Sequence, residues 1–179
     1  MALELRSDRL QISPLQVSDL DAFVNYRQNP EVARFQSWES DFSREQGLEL
    51  IQSQSGIYFP AKGEWLQIGI RFLSTGDLIG DLALHSLEQE GCYEIGFTIA
   101  TEHQGKGFGR EAASRLLGHL FDERNADRVE ASTDSRNVAS IRLLSSLGFS
   151  QQIDRSWVEE FKSETVTVYV FDLTRSAWV

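Results

Sequence analysis

Cysteine is almost absent: Cys92 is the only one in 179 residues. A single thiol excludes an internal disulfide and any cysteine-rich zinc module. Proline is nearly as scarce, occurring at Pro14, Pro30 and Pro60. No Gly/Ser/Pro-rich linker, internal repeat or low-complexity tract divides the chain. No stretch approaches the ~20 apolar residues of a membrane span. The opening residues, MALELRSDRLQISPL, are broken by charge every few positions and lack the apolar run of a signal peptide. Basic residues are in deficit, with 17 Lys and Arg against 27 Asp and Glu and a formal net charge of −10. That deficit argues against non-specific nucleic-acid binding, which needs a basic footprint. It is compatible with a cationic small molecule or a basic protein as partner. The histidines His85, His103 and His119 show no metal-ligand spacing, so no metal is expected.

What is present describes a globular chain. Apolar residues make up 41% and charged residues 25%, a soluble profile rather than a disordered one. The expectation is a single domain over residues 1–179, cytoplasmic, with neither nucleic acid nor membrane as partner. Leu3 to Leu15 reads as strand with a charged interruption at Arg6–Arg9. Ser18 reads as the cap of a helix that runs to about Gln28 and stops before Asn29-Pro30. A second helix is predicted from about Arg44 to Ser53, and residues 54–64 as loop.

The middle is rich in strand signals. Trp65–Leu73 alternates, with Trp65, Ile68, Ile70 and Phe72 as candidate buried positions. Ser74-Thr75-Gly76-Asp77 is a turn, and Leu78–Leu87 the returning strand. Cys92–Ile99 is a further strand. Gly107–Arg124 is the clearest helix, since Phe108, Ala112, Leu116 and Leu120 recur every fourth residue beside Ala113, Leu117 and Phe121. Arg128–Asp134 reads as strand, Asn137–Ser146 as a helix ended by Gly148, and about Phe149–Trp157 and Glu164–Leu173 as strands. The order is that of an α/β (α+β) chain around a largely antiparallel sheet.

The segment Gln104-Gly105-Lys106-Gly107-Phe108-Gly109-Arg110 sits between a strand and a strong helix. Its glycines let the backbone take left-handed angles and approach a ligand. Successive amides can then face one concavity, where the helix dipole adds positive character, making an anion site suited to a pyrophosphate. Lys106 and Arg110 can add charge. No Walker A run exists, while Gly107-x-Gly109-x-x-Ala112 matches the dinucleotide fingerprint weakly. The connector from Ile99 is longer than the tight turn of that fold, and no acidic residue stands convincingly at the end of the next strand.

With these residues in view, the chain resembles the GCN5-related N-acetyltransferase (GNAT) superfamily. Gln104-Gly105-Lys106-Gly107-Phe108-Gly109 is similar to its Gln/Arg-x-x-Gly-x-Gly/Ala motif. Asn137-Val138-Ala139-Ser140, followed by Leu147-Gly148-Phe149, is similar to its second signature. Tyr93-Glu94-Ile95-Gly96-Phe97 resembles the Glu-Ile-Gly-Tyr strand of the Rim-type branch, which acetylates ribosomal-protein N-termini. Ser7-Asp8-Arg9-Leu10, Gly76-Asp77 and Ile79-Gly80 fit that branch too. The resemblance covers nearly the whole chain. It implies a twisted, mostly antiparallel sheet of about seven strands flanked by about four helices. It also implies acetyl-CoA as cosubstrate and direct transfer of acetyl to a primary amine through a tetrahedral intermediate.

Carried over by position, the resemblance implies that Gln104, Gly105, Lys106, Gly107, Phe108, Gly109 and Arg110 hold the CoA pyrophosphate. Phe97, Thr98 and Ile99 are implied to pair with the pantetheine arm, with Ile99 near the thioester carbonyl, and Asn137 to hydrogen-bond that arm. Transfer needs a neutral amine, a donor to the oxyanion and a proton for the departing thiolate. Glu94 is the candidate base, since it lies on the strand that presents the thioester; a plain ion-pair partner is the alternative. Ser140 is the candidate acid, with Leu144 where many relatives carry a tyrosine; a small residue that lets the pantetheine pass is the alternative for Ser140. Cys92 reads as a small buried residue. Phe35, Trp38, Tyr58, Phe59 and Trp157 are the aromatics available to an acceptor pocket, and Glu39, Asp41, Glu88 and Glu90 the acids. The acceptor is expected to be a protein N-terminus, including that of a ribosomal protein, or a small cationic amine, and a homodimer is compatible. A non-catalytic acyl-CoA sensor is the competing function.

Overall fold

The computed structural model describes residues 3–178. Nine strands form one sheet: β1 Leu5–Arg6, β2 Leu10–Pro14, β3 Trp65–Phe72, β4 Leu78–Ser86, β5 Cys92–Ile99, β6 Arg128–Asp134, β7 Ser150–Gln151, β8 Trp157–Phe161 and β9 Glu164–Thr174. The helices are α1 Leu20–Arg27, α2 Pro30–Ala33, α3 Arg44–Ser53, α4 Phe108–Gly118 and α5 Val138–Ser146. The spatial order is β1-β2-β3-β4-β5-β6-β9-β7, with β8 also paired to β9. Among the described residues every pairing is antiparallel except β5 with β6. The count exceeds the seven strands and four helices expected because β1, β7 and α2 are too short to leave a periodic signal.

Alternation assigns the two faces of the sheet. Leu66, Ile68 and Ile70 of β3, Leu82 and Leu84 of β4, Ile95 of β5 and Val129 of β6 join one core with α4. Ala112, Ala113, Leu116 and Leu117 of α4, with Leu120 and Phe121 of the π-helical turn His119–Glu123 that follows, are fully buried there. The opposite face is polar. Helix α1 covers its β2–β4 end through a second apolar cluster that includes Phe23, Val24, Phe42 and Ile51. Two buried ion pairs lie beneath that cover, Arg27–Asp81 at 3.3 Å and Arg71–Asp19.

Several local expectations change. Trp65 lies on the polar face, out of register with Leu66, Ile68 and Ile70, and is half-exposed. Ser18 falls inside a 3-10 turn, Val17–Asp19, where the Asp19 carboxylate accepts the Gln16 N–H at 2.6 Å. The expected strand Phe149–Trp157 breaks up: only Ser150–Gln151 pairs, a 3-10 turn spans Ile153–Arg155, and Trp157 begins β8. The β8–β9 hairpin turns through Lys162 and Ser163, both at positive φ.

One feature of the topology opens the sheet. On its β4 side, β5 is paired without interruption from Tyr93↔Ser86 to Ile99↔Gly80. On its β6 side the pairing stops after Cys92↔Arg128, Tyr93↔Val129 and Glu94↔Glu130. Beyond Glu94 the two parallel strands diverge. Their carboxyl ends frame a crevice, the usual ligand position at a parallel switch point.

Candidate active site

The loop from β5 to α4 builds one wall of this crevice. Gly105 and Gly107 both take left-handed angles, φ +70° and +82°, and Gly107 is the N-cap of α4. Alternating left-handed residues just before a helix turn successive N–H groups toward one side. Gly109 lies against Leu143 and Ile99; a Cβ there would sit 3.1 Å from the Leu143 side chain. Gln104 ties the loop to the strand by donating to the Ile99 carbonyl at 2.8 Å.

The N-terminal Ser7–Leu10 segment pins the loop from behind. Glu111 of α4 accepts from the Ser7 hydroxyl at 2.7 Å and from the Arg9 N–H at 2.9 Å, and pairs with the Arg9 guanidinium at 2.7 Å. That guanidinium also donates to the Lys106 carbonyl and stacks 4.4 Å over Phe108. Burial would push the Glu111 carboxyl up. The bonds from Ser7 and Arg9 outweigh it and hold the carboxyl below its ordinary range.

The ladder itself shows which main-chain groups are free. The Ala100 N–H donates to Ile79 O and the Leu87 N–H to Cys92 O. Antiparallel pairs alternate in their bonding. Glu94, Gly96 and Thr98 therefore aim their N–H and C=O groups at β4, whereas Phe97 and Ile99 aim theirs into the crevice, where the Ile99 carbonyl accepts from Gln104 and the Phe97 carbonyl from Gln36 at 3.5 Å, leaving the two N–H groups open. Gly80 is required beside this stretch, because a Cβ there would lie 2.1 Å from the Thr98 carbonyl oxygen.

These elements enclose a cleft of about 600 Å³. Phe97, Thr98, Ile99, Gln104, Gly105, Gly107, Phe108, Gly109 and Arg110 line it, as do Asn137 and Ser140. Lys106 does not; its ammonium donates to the Glu102 carbonyl at 2.8 Å. Asn137 caps α5 by accepting the Ser140 N–H on Oδ1 at 3.2 Å, so its Nδ2 is the half of the amide left for a ligand. Ser140 is buried on the cleft side of α5, while Leu144 is wholly in the core.

Glu94 is set apart from the lining residues, at the closed end where β5 and β6 still pair. Its Oε1 accepts from Ser132 Oγ at 3.0 Å, and its Oε2 lies 3.4 Å from His85 Nδ1. Burial pushes the Cys92 thiol up, partly offset by Arg128, which disfavours the thiolate.

Of the aromatics expected near an acceptor, Phe35 lines the cleft. Trp38 instead packs 3.7 Å over the Arg27 guanidinium, Phe59 packs edge-on against Tyr93, and Tyr58 and Trp157 are largely exposed. Of the acids, Glu39 pairs with Lys162 and Glu88 with Lys62, each at 3.5 Å. The sequence reading missed Glu31, Val32, Gln36, Arg142 and Ser146 in the lining. The first three belong to α2 and its exit, too short for a periodic signal. Arg142 and Ser146 follow Ala139 at helical spacing, a signal that was available.

Residues 9–150 match the family model described as an acetyltransferase (GNAT) domain. An uncharacterized N-acetyltransferase, p20, of Bacillus licheniformis is 28% identical over 172 residues, 96% of each chain. A GNAT-family acetyltransferase structure from Bacillus anthracis superposes with a TM-score of 0.86 at 20% identity, over 97% of this chain and 99% of that one. The spermidine N-acetyltransferase of Vibrio cholerae, solved in complex with CoA and spermine, superposes with a TM-score of 0.79 at 23% identity, over 96% and 98%.

Proposed function

This chain belongs to the GNAT acetyltransferase family, an acetyl-CoA-dependent transferase family, and from that premise we propose that it moves acetyl directly to the primary amine of a small cationic acceptor or of a protein N-terminus. The observation that carries the reading is the splayed half of β5. Its inward-facing N–H and C=O groups run alongside a glycine-rich helix start, a site suited to an extended amide arm ending in phosphates. The residues present fit that cosubstrate: two left-handed glycines for the pyrophosphate, Phe97 and Ile99 for the arm, and Asn137 Nδ2 as a further donor. When bound, acetyl-CoA supplies an activated acyl carbon and a thiolate leaving group.

The chain's own residues divide the remaining work. A free N–H on β5 stabilises the oxyanion. Ile99, expected from the resemblance to lie at the thioester carbonyl, is about 17 Å along the strand from Glu94, whereas Phe97 is about 10 Å away. A carboxylate and one or two waters span the shorter distance, so Phe97 N–H is the oxyanion donor that keeps Glu94 within reach. Glu94 supplies the basic charge that draws off the ammonium proton. Ser140, buried at the cleft wall, offers a hydroxyl to the departing sulfur. Glu31 in the cleft lining favours a cationic acceptor.

The test is a calorimetric titration with acetyl-CoA beside NADH, repeated on Gly107→Glu, followed by CoA release with spermidine and with peptides beginning in Ser or Ala. Binding of acetyl-CoA alone, weakened at least about 100-fold by the substitution, supports the reading. Acetyl-CoA binding without turnover on any amine supports the sensor instead, and NADH binding alone overturns both.

A further inference from the structure

Glu94 does not stand alone at the closed end of the cleft. His85 of β4 lies directly across the ladder from it. His85 Nδ1 is 3.4 Å from Glu94 Oε2. Trp65 of β3 stacks on the imidazole at 4.5 Å and 15°, which holds the ring plane toward Glu94. An ionised carboxylate only accepts hydrogen bonds, so Nδ1 carries the ring hydrogen and Nε2 keeps its lone pair. The side chain is 19% exposed, enough to meet water.

The hydrogen bonds decide between the two groups as resting place for a proton. Both Glu94 oxygens already accept, one from Ser132 and one from His85. A proton added to either oxygen removes the negative charge that strengthens both contacts. A proton added to His85 Nε2 keeps both and turns the His85–Glu94 bond into a charge-assisted one. Gly96 lies next on the same face, and a Cβ built there would meet Ala83 alone, at 3.4 Å. Gly96 puts no side chain between this pair and Thr98, which lines the cleft.

We propose that the acceptor's proton comes to rest on His85 Nε2, with Glu94 as the counter-ion that orients the ring. The inference rests on the acetyltransferase reading above. The ammonium gives its proton through water to Nε2, the N–H electron pair stays on the amine nitrogen as the nucleophile, and the imidazolium later returns the proton to solvent. The groups around His85 are few. Glu94 faces it from β5 and the uncharged Trp65 from β3. Beyond Glu94, Glu130 of β6 is tied to Arg128 at 2.9 Å and Arg155 at 2.7 Å, and Asp172 of β9 stands 4.0 Å from Arg155. Past the end of β4, Lys62 pairs with Glu88.

The experiment is the pH profile of kcat for wild type, His85→Gln and Glu94→Gln, with acetyl-CoA affinity measured in parallel. H85Q is expected to lower kcat about 100-fold at neutral pH, to flatten the rise of kcat with pH, and to leave acetyl-CoA affinity unchanged. A preserved rise in H85Q, with loss in E94Q, overturns the proposal and leaves Glu94 as the sole base. The nitrogen NMR spectrum of the imidazole gives a readout independent of turnover. An Nδ1–H ring that changes tautomer in E94Q supports the pair, and an Nε2–H ring in wild type overturns it. That measurement also decides the matter if H85Q melts early. Failure of acetyl-CoA binding would sink the transferase reading instead.

Discussion

The polar face of the sheet has two ends that carry the same kinds of side chain and use them differently. Under α1, Asp81 accepts from the Tyr26 hydroxyl at 2.6 Å and from Arg27 at 3.3 Å, while Phe23, Trp38 and Phe42 surround the guanidinium. Burial, and then Asp81, push the Tyr26 phenol well above its ordinary range, so it stays a donor. At the other end His85, Glu94 and Ser132 make similar contacts but stay partly exposed, 19% for His85 and 23% for Glu94. The lesson concerns solvent. A covered charge pair is closed bonding that holds α1 on the sheet, and a pair that stays partly exposed keeps capacity for water.

The comparison can be broken at two points. Asp81→Ala leaves Arg27 buried without its counter-ion and is expected to cost about 3–5 kcal/mol, read by denaturant unfolding. A loss below about 1 kcal/mol would mean that the covered end is not structural. Glu94→Gln keeps the shape and removes a partly exposed contact, so its stability cost is expected within about 1 kcal/mol. A cost matching that of Asp81→Ala would make the open end structural as well.

The smallest effect concerns Glu111, which belongs to neither end and serves as the reference. Its carboxyl is held below the ordinary value, so its contribution is fully present above the unfolded value of about 4.3 and is lost as pH falls through the lower folded one. Glu111→Gln is expected to flatten the acid side of the stability profile below about pH 4.3, and to leave stability nearly independent of pH above it. Thermal melts across that range check the sign.

Much of the site was legible because it depends on local backbone rules. Left-handed angles at Gly105 and Gly107, the α4 start at Phe108 and the Asn137 cap all follow from residue type and neighbours within one turn. The roles of Trp38 and Trp65 were not legible, because a large apolar residue reads as core until its partners are known. Trp38 covers a buried arginine and Trp65 stacks on a histidine at the sheet surface. Lys162 is similar: it looks like a turn residue, yet it donates to the Ala33 and Trp38 carbonyls across the fold at 2.7 and 2.6 Å.

By itself the sequence determined the strand–loop–helix that can hold an anion, the apolar face of α4 and the family motifs, since periodicity and glycine freedom act over a few residues. Only the tertiary structure decided that β5 and β6 part after Glu94, that Phe97 and Ile99 face the gap, and that His85 meets Glu94. Those facts depend on register between strands far apart in the chain, and register is set by how both faces of the sheet pack at once.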